Sequence, residues 1–143
     1  MNALSQNLSS GLEDYIEAIY VAYLNETPLK GAELARKLNI SRASVSEALA
    51  KLVNKGLIKY NSYQAIVLTK SGIDEAKKVY AKHHILKEFF EEVLCISPVE
   101  AGENACKIEH IVSKNILDKM TKLTKIFKDK KELSDRLKEE LNI

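Results

Sequence analysis

Cys106, Glu109 and His110 occupy positions i, i+3 and i+4 of the run Ala-Cys-Lys-Ile-Glu-His-Ile-Val-Ser at residues 105–113. On a helix this spacing projects a thiolate, a carboxylate and an imidazole from one face within a single turn. Soft, hard and borderline donors together suit a first-row transition metal better than calcium or magnesium. The same residue types also make an ordinary solvated helix face, so the spacing gains its weight from the rest of the chain. Residues 30–69 read as a DNA-binding module. A metal site joined to a DNA reader describes a metal-sensing regulator.

The elements that must position these groups follow from the apolar periodicity. Leu12, Tyr15, Ile16, Ile19, Tyr20 and Tyr23 recur at helical spacing, which predicts a helix over residues 11–25 with Ser9 or Ser10 as its cap. A short helix over residues 30–38 faces Leu34, Ala35 and Leu38 inward, and Asn39-Ile40-Ser41 makes a turn. Ser41 caps the next helix, whose Val45, Leu49 and Leu52 are apolar and which Gly56 stops. The period then changes. Leu57, Ile58 and Tyr60, then Ile66, Val67 and Leu68, read as two short strands around a tip at Asn61-Ser62-Tyr63-Gln64.

Helix, short helix, turn, helix and hairpin is the order of a winged helix-turn-helix, which lays its second paired helix in the major groove. A long helix is expected over residues 69–94, then a helix from Ser97-Pro98 to near Ser113, and helices over residues 115–127 and 131–141. The expected fold class is therefore mainly α with a small β-hairpin. A winged helix-turn-helix DNA-binding domain at residues 1–72 precedes an all-helical dimerisation and metal-binding domain at residues 73–143.

Composition sets looser bounds. The chain has 143 residues, of which 45% are hydrophobic and 29% charged, as in an ordinary soluble protein. No stretch approaches the ~20 apolar residues of a membrane span, and the N-terminal residues lack a secretory pattern. Cys95 and Cys106 make no disulfide framework, which fits a reducing cytoplasm. Cys95 lies in an apolar stretch and is expected in the core. The net charge of +2 announces no partner, but its distribution does. Residues 27–63 hold seven basic and two acidic side chains, a local net of +5, whereas residues 71–143 carry 14 of each sign. Such segregation is what a phosphate-contacting surface requires.

Five blocks, in order, carry a likeness: Leu-Glu-Asp-Tyr-Ile-Glu-Ala-Ile-Tyr (12–20), Lys-Leu-Asn-Ile-Ser-Arg-Ala-Ser-Val-Ser (37–46), Val-Leu-Thr-Lys-Ser-Gly (67–72), Lys-His-His-Ile-Leu (82–86) and Ala-Cys-Lys-Ile-Glu-His (105–110). Over roughly residues 8–125 the chain resembles the metal-dependent repressors of the diphtheria toxin repressor and manganese transport regulator family, in their shorter, two-domain form. The resemblance implies that Asp14 and Glu17 are carboxylate ligands of the first helix, as in the manganese branch, and that His83 is a ligand on the long helix. Glu109 and His110 match the pair both branches share, and Cys106 matches the iron branch, so the ligand set looks like a hybrid.

Departures from the family pattern are also visible. Lys87 and Gly102 stand where iron-responsive members place ligands for a second metal, and Gln64-Ala65 replaces an arginine-glycine pair common in the manganese branch.

The function this implies is a homodimeric repressor that binds palindromic operator DNA when loaded with Fe2+ or Mn2+ and controls metal-uptake genes. Co2+, Ni2+ or Zn2+ would serve as surrogate ions, and no membrane or small-molecule substrate is involved. Lys30, Ser41, Arg42, Ala43, Ser44, Ser46, Lys51, Tyr63 and Gln64 are the expected DNA contacts. Two other readings compete: a winged-helix regulator whose metal residues are vestigial, and a small metalloenzyme with an open coordination position. The metalloenzyme reading finds no phosphate loop or nucleophile motif in its support. A helical interaction module is disfavoured by the segregated charge.

Overall fold

Serine and threonine start most of the helices. The computed structural model describes residues 8–143. Ser9 accepts a hydrogen bond from the Leu12 amide and opens α1 (Ser10–Leu24), which buries Leu12, Ile16, Ile19 and Tyr20 along one side. After a turn through Glu26, α2 (Gly31–Leu38) ends at Asn39, whose left-handed backbone (φ +54) closes it. Ser41 accepts from the Ser44 amide at 3.1 Å and opens α3 (Arg42–Asn54). Gly56, at φ +71, turns the chain out of that helix, a conformation that costs glycine nothing.

β1 (Ile58–Lys59) and β2 (Val67–Leu68) pair antiparallel, with Ile58 opposite Leu68 and Lys59 opposite Val67. A third segment joins them: Ile66 donates to the Leu29 carbonyl at 2.8 Å, and Lys30 bridges Ala65. α4 (Lys70–Glu92) begins beneath this hairpin. Thr69 caps it by accepting from the Gly72 amide at 3.0 Å, and donates its own hydroxyl to the Gly56 carbonyl at 2.7 Å.

Two compact units divide the chain, one ending at Val79 and the other spanning Tyr80–Ile143. The first buries Ile16, Leu34, Leu49, Leu52 and Ile66. In the second, the later part of α4 is followed by α5 (Pro98–Ile108), α6 (Lys114–Asp129) and α7 (Lys131–Leu141). Ser97 caps α5 and Ser113 caps α6. Leu86, Ala105 and Leu117 form the buried centre of this unit, with Ile85, Phe90, Ile108, Val112 and Met120 packed against it.

The fold class is the expected one, with two corrections of detail. α5 ends at Ile108 rather than near Ser113: Glu109 caps it, its amide donating to the Ala105 carbonyl, and Ile111 donates back to Ile108 in the turn that follows. Cys95 is exposed rather than in the core. α4 stops at Glu92, and Cys95 takes a left-handed backbone (φ +55) in the turn that follows, which carries its side chain outward.

Candidate metal centre and nucleic-acid face

His83 Nδ1 lies 2.8 Å from Glu109 Oε2 and 3.6 Å from Cys106 Sγ. A nitrogen, a carboxylate oxygen and a sulfur from these three residues all fall within 4.8 Å of one another, close enough to share one ion. α4 supplies His83. Cys106 stands in the last turn of α5, and Glu109 and His110 follow in the turn beyond it. Cys106 and Glu109, three residues apart at the helix end, both approach His83. Glu109 lies in the interior while Cys106 stays at the surface.

Burial makes Glu109 the central group. Its side chain is fully buried, and His83 and His110 are mostly so, at 18% and 10% exposure. Glu109 Oε2 accepts from His83, but among the described residues Oε1 is buried without a hydrogen-bond partner, and His110 Nε2 stands 3.6 Å away. An unpartnered carboxylate oxygen in the interior costs free energy that a cation would offset. With an imidazole and a thiol beside it, this orphaned oxygen is what a divalent transition-metal site looks like before its ion arrives. The residues fit the metal. Asp14 and Glu17 lie one turn apart on α1, exposed and half-buried respectively.

In the first unit, every expected DNA contact is exposed: Lys30, Ser41, Arg42, Ala43, Ser44, Ser46, Lys51, Tyr63 and Gln64. Arg42, Ala43, Ser44 and Ser46 occupy the first turns of α3, where a recognition helix meets base edges. Ser41 is committed locally, since its hydroxyl donates to Ser44 Oγ at 2.8 Å while it accepts from the Ser44 amide. Lys51 pairs with Glu47 across one turn at 3.2 Å.

A cleft of about 430 Å³ opens between the start of α2, α3 and the hairpin, and Lys30, Arg42, Ser46 and Tyr63 line it. Tyr60 and Ser62 line it too. Sequence reasoning missed both, although a second tyrosine three residues before Tyr63 in the hairpin was a usable signal.

Known proteins align with this arrangement. Residues 7–66 match the N-terminal DNA-binding domain of the iron-dependent repressors, and residues 69–139 match their metal-binding and dimerisation domain. An uncharacterised helix-turn-helix-type transcriptional regulator of Methanocaldococcus jannaschii is 41% identical over 124 residues, 86% of this chain and 99% of that protein. The transcriptional regulator MntR of Lysinibacillus sphaericus is 25% identical over 126 residues, 88% of this chain and 90% of that one. Among solved structures, a manganese-dependent transcriptional repressor in complex with manganese superposes with a TM-score of 0.71 at 26% identity over 79% of this chain. The present chain spans about half (52%) of the length of that structure.

Proposed function

Because the chain belongs to the iron-dependent repressor family of metal-dependent transcriptional regulators, we propose that it is a homodimeric repressor of metal-uptake genes. It binds palindromic operator DNA in the cytoplasm when loaded with Fe2+ or Mn2+. The buried Glu109 carboxylate, with one oxygen on His83 and the other beside His110 without a hydrogen bond, is the observation that carries the metal part of this reading. His83, Cys106, Glu109 and His110 are the donors we assign from the second unit. The family resemblance assigns Asp14 and Glu17 to the same function from α1. The thiolate favours Fe2+ and the carboxylates favour Mn2+, and a related repressor was solved with manganese bound.

When bound, the ion supplies a compact positive charge that lets a buried carboxylate, a thiolate and imidazoles converge without mutual repulsion. The chain's own residues do the rest. Glu109 and His83 would hold the ion, which would offset the burial cost of the Glu109 carboxylate. Arg42, Ser44 and Ser46 present the exposed start of α3 to the major groove. Occupancy becomes DNA affinity only to the extent that the ligand set is tighter in the DNA-competent form. A family of transcriptional regulators with a metal-binding domain leaves the metal-independent and metalloenzyme readings without support.

The test is operator binding. A duplex selected from a random pool with the Mn2+- or Fe2+-loaded protein is titrated by fluorescence anisotropy, with metal and with chelator. Metal should tighten binding by roughly 5–150-fold, the usual range of such coupling. Equal affinity in both conditions would remove the metal-dependent reading.

A further inference from the structure

Tyr63, at the tip of the wing, is unfavourable on two counts. It is 86% exposed, and its backbone is left-handed, with φ at +65. A bulky residue in that region is a conformational outlier, which glycine or asparagine would occupy without strain. Strain of this kind persists where the surroundings hold it, and it collects at functional sites.

The surroundings here do hold it. Gln64 donates its amide to the Asn61 carbonyl at 3.1 Å and closes the tip, while Ile66 is tied to Leu29 at 2.8 Å below it. Tyr60 fixes the root, because a Cβ on Gly31 would lie 2.8 Å from its phenol oxygen, so the hairpin sits directly on the start of α2. The ring of Tyr63 is thus displayed on a closed turn at the rim of the cleft that Lys30 and Arg42 line. The tip itself, Asn61-Ser62-Tyr63-Gln64, carries no charge.

We propose that Tyr63 is a non-ionic DNA anchor, its ring lying against the deoxyribose of the strand whose phosphate is held in the cleft between Lys30 and Arg42. The proposal rests on the DNA-binding reading above and specifies how the wing contributes to it. Cationic contacts release counterions and lose strength as salt rises, whereas an uncharged tip releases none. The tip's share of the affinity is therefore independent of salt, while the share from Arg42 and Lys30 is not.

Anisotropy of the metal-loaded full chain on its selected duplex, over a range of KCl concentrations, tests this. Tyr63→Gly should weaken binding about three- to tenfold at every salt concentration, the loss expected for one aromatic contact, and leave the log–log salt slope unchanged. Its melting temperature should equal or exceed that of the unchanged chain, because glycine accepts the left-handed backbone. Tyr63→Lys should steepen the slope by about one, since the new cation sits beside the backbone. Arg42→Ala, run in parallel, should make the slope shallower or relax sequence preference.

If Tyr63→Gly binds like the unchanged chain while Arg42→Ala does not, the tip is not a contact and the inference falls with the DNA reading intact. A lowered melting temperature makes the tyrosine structural, and an unaltered slope in Tyr63→Lys places the tip away from the backbone. Either result overturns the proposal. Failure of the unchanged chain to bind any selected duplex removes the DNA reading and this inference together.

Discussion

At the scale of single residues, the proposed metal preference turns on Cys106. It is exposed, and its sulfur lies 3.6 Å from His83 Nδ1, beside a fully buried carboxylate. Cys106→Glu puts a harder oxygen at the same helical position and should shift preference toward Mn2+. Cys106→Ala should lower Co2+ affinity by more than the ~10–100-fold that an outer-shell partner is worth, and leave the helical fold intact because the side chain is not part of the core. The near-ultraviolet spectrum of the Co2+ form is the measurement, since a thiolate ligand adds a charge-transfer band that carboxylate and imidazole lack. Coincident spectra for Cys106→Ala and the unchanged chain would show that the sulfur is not a ligand.

The types of these groups and the approach of Cys106 to Glu109 were legible in the sequence, but their unequal burial was not. A one-turn spacing describes three equivalent side chains. Instead Glu109 is completely buried and Cys106 exposed, at the turn that ends α5 after Ile108. No local residue signals that turn, which carries neither glycine nor proline.

At the scale of elements, local chemistry was the reliable guide. Ser41, Gly56 and Ser97-Pro98 mark helix ends where the structure has them, since caps and left-handed turns are decided within a few residues. What the sequence could not show is close approach between distant segments. Gly72, in the first turn of α4, sits so near β1's approach that a Cβ would lie 1.9 Å from the Leu57 carbonyl oxygen. Gly72→Ala must therefore displace backbone. It should destabilise the first unit by about 1–3 kcal/mol, measured by urea unfolding, and an unchanged midpoint would show that the hairpin yields freely.

A second element-scale test uses the Lys128–Glu88 pair, which ties the end of α6 to α4. The hydrogen bond and the charge of Glu88 hold the lysine above its ordinary value of 10.5, aided by Glu92 and Asp129. A raised value in the folded state means stability that is present below the ordinary lysine value and lost as pH rises through the raised one. Glu88→Gln should thus be less stable than the unchanged chain near neutral pH, and the two melting temperatures should converge above about pH 10.5. A gap that persists in strong alkali would assign the effect to packing instead of charge.

At the scale of the whole molecule, the surplus of apolar surface on the second unit argues for a partner. Ile116, Ile126 and Leu141 are 51%, 42% and 59% exposed, and Leu123, Leu133 and Leu137 are also open, along α6 and α7. Exposed apolar side chains in this number mark association surfaces more often than free ones, and the family match places a dimerisation domain over residues 69–139. A twofold dimer would present two α3 helices to two half-sites about 34 Å apart, one turn of the duplex. Two linked contacts then make the second one intramolecular, so a duplex with both half-sites should bind ~100-fold or more tightly than a duplex with one. Sedimentation of the metal-loaded chain should give a dimer alone and two chains per operator duplex. A monomer at micromolar concentration, both without metal and with Mn2+ or Fe2+, would require each α3 to find its site unaided. Half-site and full-site duplexes would then bind alike, and the palindromic operator would have no physical basis.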